Sequence, residues 1–316
     1  MNALSPRIYW YGALVAAALA APFVVYPIFL MKALCLALFA CAFNLLLGFA
    51  GLLSFGHAAF FGAAAYVTGH AAKAWGWPPE ISILAGAAAA AVLGLVFGGL
   101  AIRRQGIYFA MITLALSQML YFFCVQAPFT HGEDGIQAIP RGTLLGVFDL
   151  RDSLTLYYFV LAIFTAGFLL IWRAIHSPFG QVLKAIRENE ARAISLGYSV
   201  DRYKLLAFVL SAALSGLAGG AMTLVFQLAT LNNVHWHLSG EVVLMALLGG
   251  VGTLFGPVVG AFLVAAIQQY LAQLGAWVTI VQGFIFFVCV LLFRRGIVGE
   301  INAIVRWYRP AKPDKP

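Results

Sequence analysis

The chain has 316 residues, of which 63% are hydrophobic and only 9% charged, with a formal net charge of +8 and a mean hydropathy of +0.94. A soluble domain carries about 25% charged residues, so 19 Lys and Arg with 11 Asp and Glu cannot clothe a water-facing surface of this size. The composition excludes an ordinary soluble enzyme and points to an all-α polytopic membrane protein, in which each spanning helix needs roughly 20 apolar residues.

Taken in chain order, Arg7 precedes an apolar run that reaches Leu30. Ala18-Leu19-Ala20 resembles a signal-peptide cleavage site, but the run continues past it, so an uncleaved first span is expected over about 9–30. Further spans are expected near 33–52, 56–75, 81–102 and 107–127. A loop at about 128–155 follows, then a span near 156–173, a polar stretch at about 174–204 and a span near 205–227. Val242 to Phe293 carries no charge and is generous for two spans but short for three. The basic tail, 294–316, must end on the same side as the other basic loops, so three segments are expected, about 229–251, 255–273 and 277–293. The chain then forms a single transmembrane domain, 1–316, with about ten membrane segments.

Two runs are punctuated. Gly48 to Gly62 contains Gly48, Gly51, Gly56 and Gly62, with Ser54 placed to N-cap the following helix. Gly249 to Pro257 contains Gly249, Gly250, Gly252 and Gly256 ahead of the proline. Broken helices at membrane depth are tolerated where they are buried in protein or line a cavity, and two such breaks point to a transport site. Ser54, His57, Glu241, Gly249, Gly250 and Gly252 are therefore the expected pathway residues. Each has a plainer reading. His57 suits a hydrogen-bonded packing role, and Glu241 suits a solvated or capping one, although an ionisable residue in a membrane is costly and often functional.

The basic residues cluster at Arg103 and Arg104, at Arg173, Lys184, Arg187, Arg192, Arg202 and Lys204, and in the tail at Arg294, Arg295, Arg306, Arg309, Lys312 and Lys315. The positive-inside rule puts these regions and both termini in the cytoplasm. This distribution accounts for the net charge through membrane orientation, without nucleic acid. Cys35, Cys41, Cys124 and Cys289 lie in apolar runs at no metal or disulfide spacing. His235-Trp236-His237 lacks further ligands for a metal. Gln118, Gln268 and Gln269 suit hydrogen bonds between helices. No catalytic constellation, cofactor motif or phosphate-cradling G-x-x-x-x-G-K-[ST] loop is present.

Ser177 to Phe208 reads as a helix. Ser177 can N-cap it, Pro178 sits at its first position and Gly197 can stop it. Phe179, Val182, Ile186, Ala193 and Leu196 form an apolar stripe, with Lys184, Arg187, Glu188 and Arg192 on other faces. Glu188 and Arg192 are four apart in the favourable acid-first order. Such a helix either lies on the membrane surface or docks a soluble partner, and amphipathicity does not choose between them.

Arg187 to Gly220 resembles the cytoplasmic coupling segment of branched-chain amino acid ABC-transporter permeases of the LivM type. Gly51 to Gly62 is similar to that family's early motif, Thr130 to Ile136 to its external-loop motif, and Glu241 to Gly252 to its late motif. The typical family form has Gly where this chain has His131. The four motifs occur in the family's order and cover nearly the whole chain. The resemblance implies a non-enzymatic permease that works with a related second permease, two cytoplasmic ABC ATPase subunits and an extracytoplasmic substrate-binding protein in the bacterial inner membrane. It implies ATPase coupling through Lys184, Arg187, Glu188, Asn189, Glu190, Arg192 and Gly197, and binding-protein contact through Glu133 and Asp134. Branched-chain or other apolar amino acids are the expected substrates, with urea, short amides or aromatic acids as alternatives within the family. A stand-alone channel or secondary transporter is the competing class. A structural anchor is disfavoured, because it needs no broken helices.

Overall fold

The structure is a computed structural model that describes residues 16–272, 275, 277–292 and 296–300. Part of the span expected at 9–30 lies outside these residues, as do Arg7, Arg294, Arg295 and the basic residues of 301–316.

Residues 16–20 are helical, and the chain turns at 24–26 before α1, Pro27–Asn44, which runs on into a π-helical turn at Leu45–Ala50. Proline favours the first helical position, so Pro27 starts the helix earlier than the expected 33. Lys32, which falls in the gap between the spans expected at 9–30 and 33–52, lies inside the second turn of α1. An unbranched lysine is a good helix former and does not stop one.

The elements after α1 are α2 (His57–Lys73), α3 (Pro79–Ala101), α4 (Ile107–Gln126) and α5 (Ser153–His176). Then come the short α6 (Pro178–Glu188) and α7 (Glu190–Ser195), the long α8 (Val200–Phe226), α9 (Trp236–Gly249), α10 (Gly256–Tyr270) and α11 (Trp277–Leu292). Among the described residues, five helices, counting α1 with its π turn, are long and apolar enough to cross a membrane. α9 and α10 are apolar but have only 14 and 15 residues. At 1.5 Å per residue each covers about 21–22 Å of a hydrocarbon slab about 30 Å thick.

Between Lys32 and Asn44, α1 is apolar on every face and is buried on every face, as such a helix must be. Beside it, α2, α3 and α8 approach one another closely through small residues, the way helices associate in lipid. A Cβ on Gly219 of α8 would strike the Phe61 carbonyl of α2, and one on Gly216 would lie 2.5 Å from Ala90 Cβ of α3. The outward faces carry large apolar side chains suited to lipid, among them Leu95 and Leu100 on α3, Met111 and Phe122 on α4, and Leu169 and Trp172 on α5.

The connections sort onto two ends. One end, here the basic end, gathers the break after α1, the Arg103-Arg104 turn, the α6–α7 loop and the α9–α10 turn. The opposite end gathers the loops at 74–78, 127–152 and 227–235. This sorting is the alternation that the span order requires. Among the described residues, the opposite-end loops add four two-residue strands to the helical fold, three in 127–152 and one in 227–235. β1 (Ile136–Gln137) pairs antiparallel with β4 (Leu228–Ala229), and β2 (Thr143–Leu144) pairs with β3 (Phe148–Asp149). Arg141 Nη2 donates to the Val225 carbonyl at 2.8 Å and Nε to Leu224 at 3.3 Å, satisfying carbonyls left open at the end of α8. Asp152 accepts from Thr155 N at 3.1 Å and Thr155 Oγ1 at 3.0 Å, capping α5. These bonds hold the Asp152 carboxyl below its ordinary value of 3.8.

The 177–208 stretch departs from the single helix expected. α6 ends at Glu188, and Asn189 leaves helical geometry at φ −157°. Its side chain then accepts from Arg192 N at 3.0 Å to cap α7. Asparagine is a preferred N-cap because its carbonyl oxygen bonds an orphan N–H, and here that preference overrides a continuous stripe. The turn also separates Glu188 from Arg192. The ion pair of this loop, among the described residues, is Lys204–Glu190 at 2.7 Å, with Lys204 3% exposed. Leu183, Ile186 and Ala193 are buried, whereas Leu196 is exposed together with Ile194 and Tyr198. Gly197 follows α7 at φ +88°, a conformation that suits glycine and ends the helix.

Candidate functional site

The two glycine breaks, far apart in sequence, meet at the basic end. Asn44, the last residue of α1, joins them. Its Nδ2 donates to the Thr253 carbonyl at 2.9 Å, and its Oδ1 accepts from Gly252 N at 3.0 Å. A Cβ on Gly48 would lie 2.7 Å from Gly252 N, so the two backbones are in contact. Gly250 and Gly252 hold φ of +120° and +78°, which residues with a Cβ rarely adopt. Across the α9–α10 turn, a Cβ on Gly249 would strike the Gly256 carbonyl and one on Gly260 the Met245 carbonyl. Thr253 Oγ1 closes the turn by donating to Gly250 O at 2.8 Å and accepting from Gly256 N at 3.1 Å.

The basic loop reaches the same place. Arg187 of α6 donates from Nη1 to the Gly48 carbonyl, which stands in the irregular turn after α1. Lys184, one turn earlier, places its Nζ 5.8 Å from the centre of the Phe49 ring, within cation–π range. Gly48, Phe49, Lys184, Arg187, Glu188 and Gly252 enclose a cavity of about 410 Å³. The first break contributes Gly48 and Phe49 here rather than the expected Ser54 or His57, and they meet the expected Lys184, Arg187, Glu188 and Gly252 at one cavity. Asn44 was missed by the sequence reading. Its signal was a lone amide inside an otherwise apolar run.

The remaining expected residues lie elsewhere. Ser54 is fully buried but does not cap α2; it accepts from Gly56 N at 3.1 Å within the break. The capping role belongs to Ser239 of α9, whose Oγ accepts from Ala58 N at 2.9 Å. α2 begins at His57 with Gly56 at its N-cap position, so Ser54 falls two residues short of the cap. His57 is fully buried, with Nε2 2.9 Å from Ser211 Oγ, which in turn donates to Ala42 O at 2.5 Å. The rings of Phe43, Phe60 and Phe208 meet it edge-on, with centroids 5.0, 5.7 and 6.2 Å away. That is the geometry of a hydrogen-bonded packing histidine.

Glu241 stands at the other end of α9, away from the glycine turn. It lines a second cavity of about 550 Å³, together with Lys32, Asn233, His235, His237 and Gln268. Glu133 and Asp134 are exposed in the opposite-end loop. Gly135 anchors that loop so tightly that an added Cβ would meet the Ala229 carbonyl. His131 holds φ +59°, a left-handed conformation in which histidine is several-fold enriched among residues bearing a Cβ. That geometry explains how it replaces glycine. Asn189 and Arg192 bond each other's part of the loop, and Glu190 pairs with Lys204. No cluster of metal-ligating side chains is present among the described residues.

A protein family described as branched-chain amino acid transport system / permease component matches residues 26–291. The chain belongs to that family. The family is one of ABC transport subunits rather than enzymes, and the likeness is to its LivM type. The permease is 26% identical over 268 residues to the high-affinity branched-chain amino acid transport system permease protein LivM of Escherichia coli K12, covering 76% of this chain and 62% of LivM. It thus spans about three fifths of that relative's length. It is 30% identical over 202 residues to the autoinducer 2 import system permease protein LsrC of Klebsiella pneumoniae, covering 61% of this chain and 55% of LsrC. It is 28% identical over 170 residues to the ribose import permease protein RbsC of Bacillus subtilis, covering 51% and 50%. No solved structure matches it.

Proposed function

We propose that the chain is one permease subunit of an ATP-driven importer of branched-chain or other apolar amino acids in the bacterial inner membrane. In this reading a related second permease completes the pathway, two cytoplasmic ATPases drive it and an extracytoplasmic binding protein delivers substrate at the opposite end. The basic end and both termini face the cytoplasm, in keeping with the positive-inside rule. The observation that carries the proposal is the reach of Arg187 from the basic loop to Gly48, beside Gly252. A force applied to α6 and α7 would act on both breaks at once. Ile194, Leu196 and Tyr198 expose apolar surface beside Arg192, a mixture that suits a protein partner. Glu133 and Asp134 serve as binding-protein contacts in the same scheme.

The test is affinity purification of the chain from its native membrane. ABC ATPase subunits should accompany it, and their absence would favour a stand-alone channel or secondary transporter. In the assembled importer, Arg187→Glu should leave ATPase activity but remove its stimulation by substrate and the uptake it drives. Unchanged uptake would sink the coupling assignment. The LsrC and RbsC likenesses keep a second reading of the cargo, a neutral sugar-like solute.

A further inference from the structure

We propose that the opposite-end cavity between α1, α9 and α10 binds an α-amino acid as its zwitterion, with Lys32 taking the carboxylate and Glu241 the ammonium group. The inference rests on the permease reading and assigns that permease a site and a ligand class. The cavity, about 550 Å³, falls within the roughly 300–1,000 Å³ of small-molecule sites. Lys32 enters it from the second turn of α1, Glu241 from the second turn of α9 and Gln268 from the last turn of α10. Lys32 and Glu241 are both half-buried, and each lies within the other's electrostatic reach. Yet they form no ion pair, since the described residues show no contact of 4.0 Å or less between them.

Two unlike charges that face one space without closing on each other are costly at the edge of a membrane, because each is partly desolvated and, among the described residues, has no ion-pair partner. A zwitterion resolves both deficits, since its two ends carry the complementary charges. A purely structural pair would have closed. A neutral sugar would leave both charges uncompensated, so the arrangement discriminates between the two cargo classes. Gln268 and His237 stand beside the Glu241 carboxylate, and Leu238 gives the wall an apolar patch for a side chain.

The experiment measures equilibrium binding to the full chain in lipid nanodiscs at pH 7, with four probes. These are L-leucine, L-leucinamide (which keeps only the positive end), 4-methylpentanoate (which keeps only the negative end) and D-ribose. L-leucine should bind at least about tenfold tighter than any other probe, the scale of a charge-assisted hydrogen bond. Lys32→Gln should weaken L-leucine and 4-methylpentanoate but not L-leucinamide, and Glu241→Gln should weaken L-leucine and L-leucinamide but not 4-methylpentanoate. Lys32→Arg, which keeps charge and fold, should retain L-leucine binding. Ribose binding as tightly as L-leucine, or both neutralising substitutions weakening all probes alike, would overturn the site. ATPase subunits in the same preparation are read separately. Their presence without L-leucine binding defeats the zwitterion site alone, and L-leucine binding without them defeats the ATP-driven reading alone.

Discussion

Two arginines do similar chemistry at the two ends of this permease, with different consequences. Arg141 donates to the carbonyls of Leu224 and Val225 at the end of α8, and Arg187 donates to the carbonyl of Gly48 after α1. Each satisfies backbone acceptors that a helix end leaves open. Arg141 does so inside a fastened loop, beside the β1–β4 pair and the Lys73 bond to Gln137 O at 2.7 Å. Arg187 instead bridges separate elements across a cavity, next to two backbone breaks. The same guanidinium contact fastens one loop at one end and joins separate elements at the other.

The largest effect that tests this contrast is expected beside Arg187. Glu190→Gln would leave the buried Lys204 without its partner, at the lower part of the about 3–5 kcal/mol for a broken buried pair, since Glu190 is 26% exposed. Lys204→Met should cost less, because Glu190 can hydrate. Thermal unfolding in detergent compares the two, and equal losses would mean that the pair is not held as described. Next, Arg141→Ala should lower stability by about 1.5–3 kcal/mol with coupling intact. Arg187→Ala should lower ATP-dependent uptake by about 5–150-fold, the range of typical coupling energies, with a smaller loss of stability. Similar results from both arginines would erase the distinction. Gly249→Ala, whose new methyl would strike the Gly256 carbonyl, should cost about 1–3 kcal/mol as overpacking. A matched change at Gly146, where nothing lies within 4 Å, controls for packing, although its φ of +73° still strains the backbone. The smallest effect belongs to the opposite-end loop. The Asp152 carboxyl is depressed by its bonds to Thr155, so its contribution is full above the ordinary value of 3.8 and fades as pH falls through the lower folded value. A melting temperature that falls more in wild type than in Asp152→Asn on acidification checks it.

The spans were readable because lipid demands long uncharged runs, and the segments expected at 81–102 and 107–127 match α3 and α4 within a few residues. The glycine breaks were readable too, since punctuation inside such a run has few other uses. What the sequence hid were contacts between distant positions. Asn44 bonds Thr253 across 209 positions, and Ser239 caps a helix 181 positions away. Lys32 was hidden differently. A charge beside an apolar run reads as the end of a span, and only the turn at 24–26 shows that it stands inside one. At Asn189, a local capping preference outweighed a stripe that continued on either side.

The shortness of α9 and α10 has a consequence for the surrounding lipid. A hairpin of about 21–22 Å in a slab of about 30 Å is a built-in hydrophobic mismatch. A bilayer meets such a mismatch by thinning or by tilting the helices, at fractions of a kcal/mol per ångström. The Gly250–Gly252 turn is held by Asn44, and by this reasoning shorter lipids should relax it while longer ones load it.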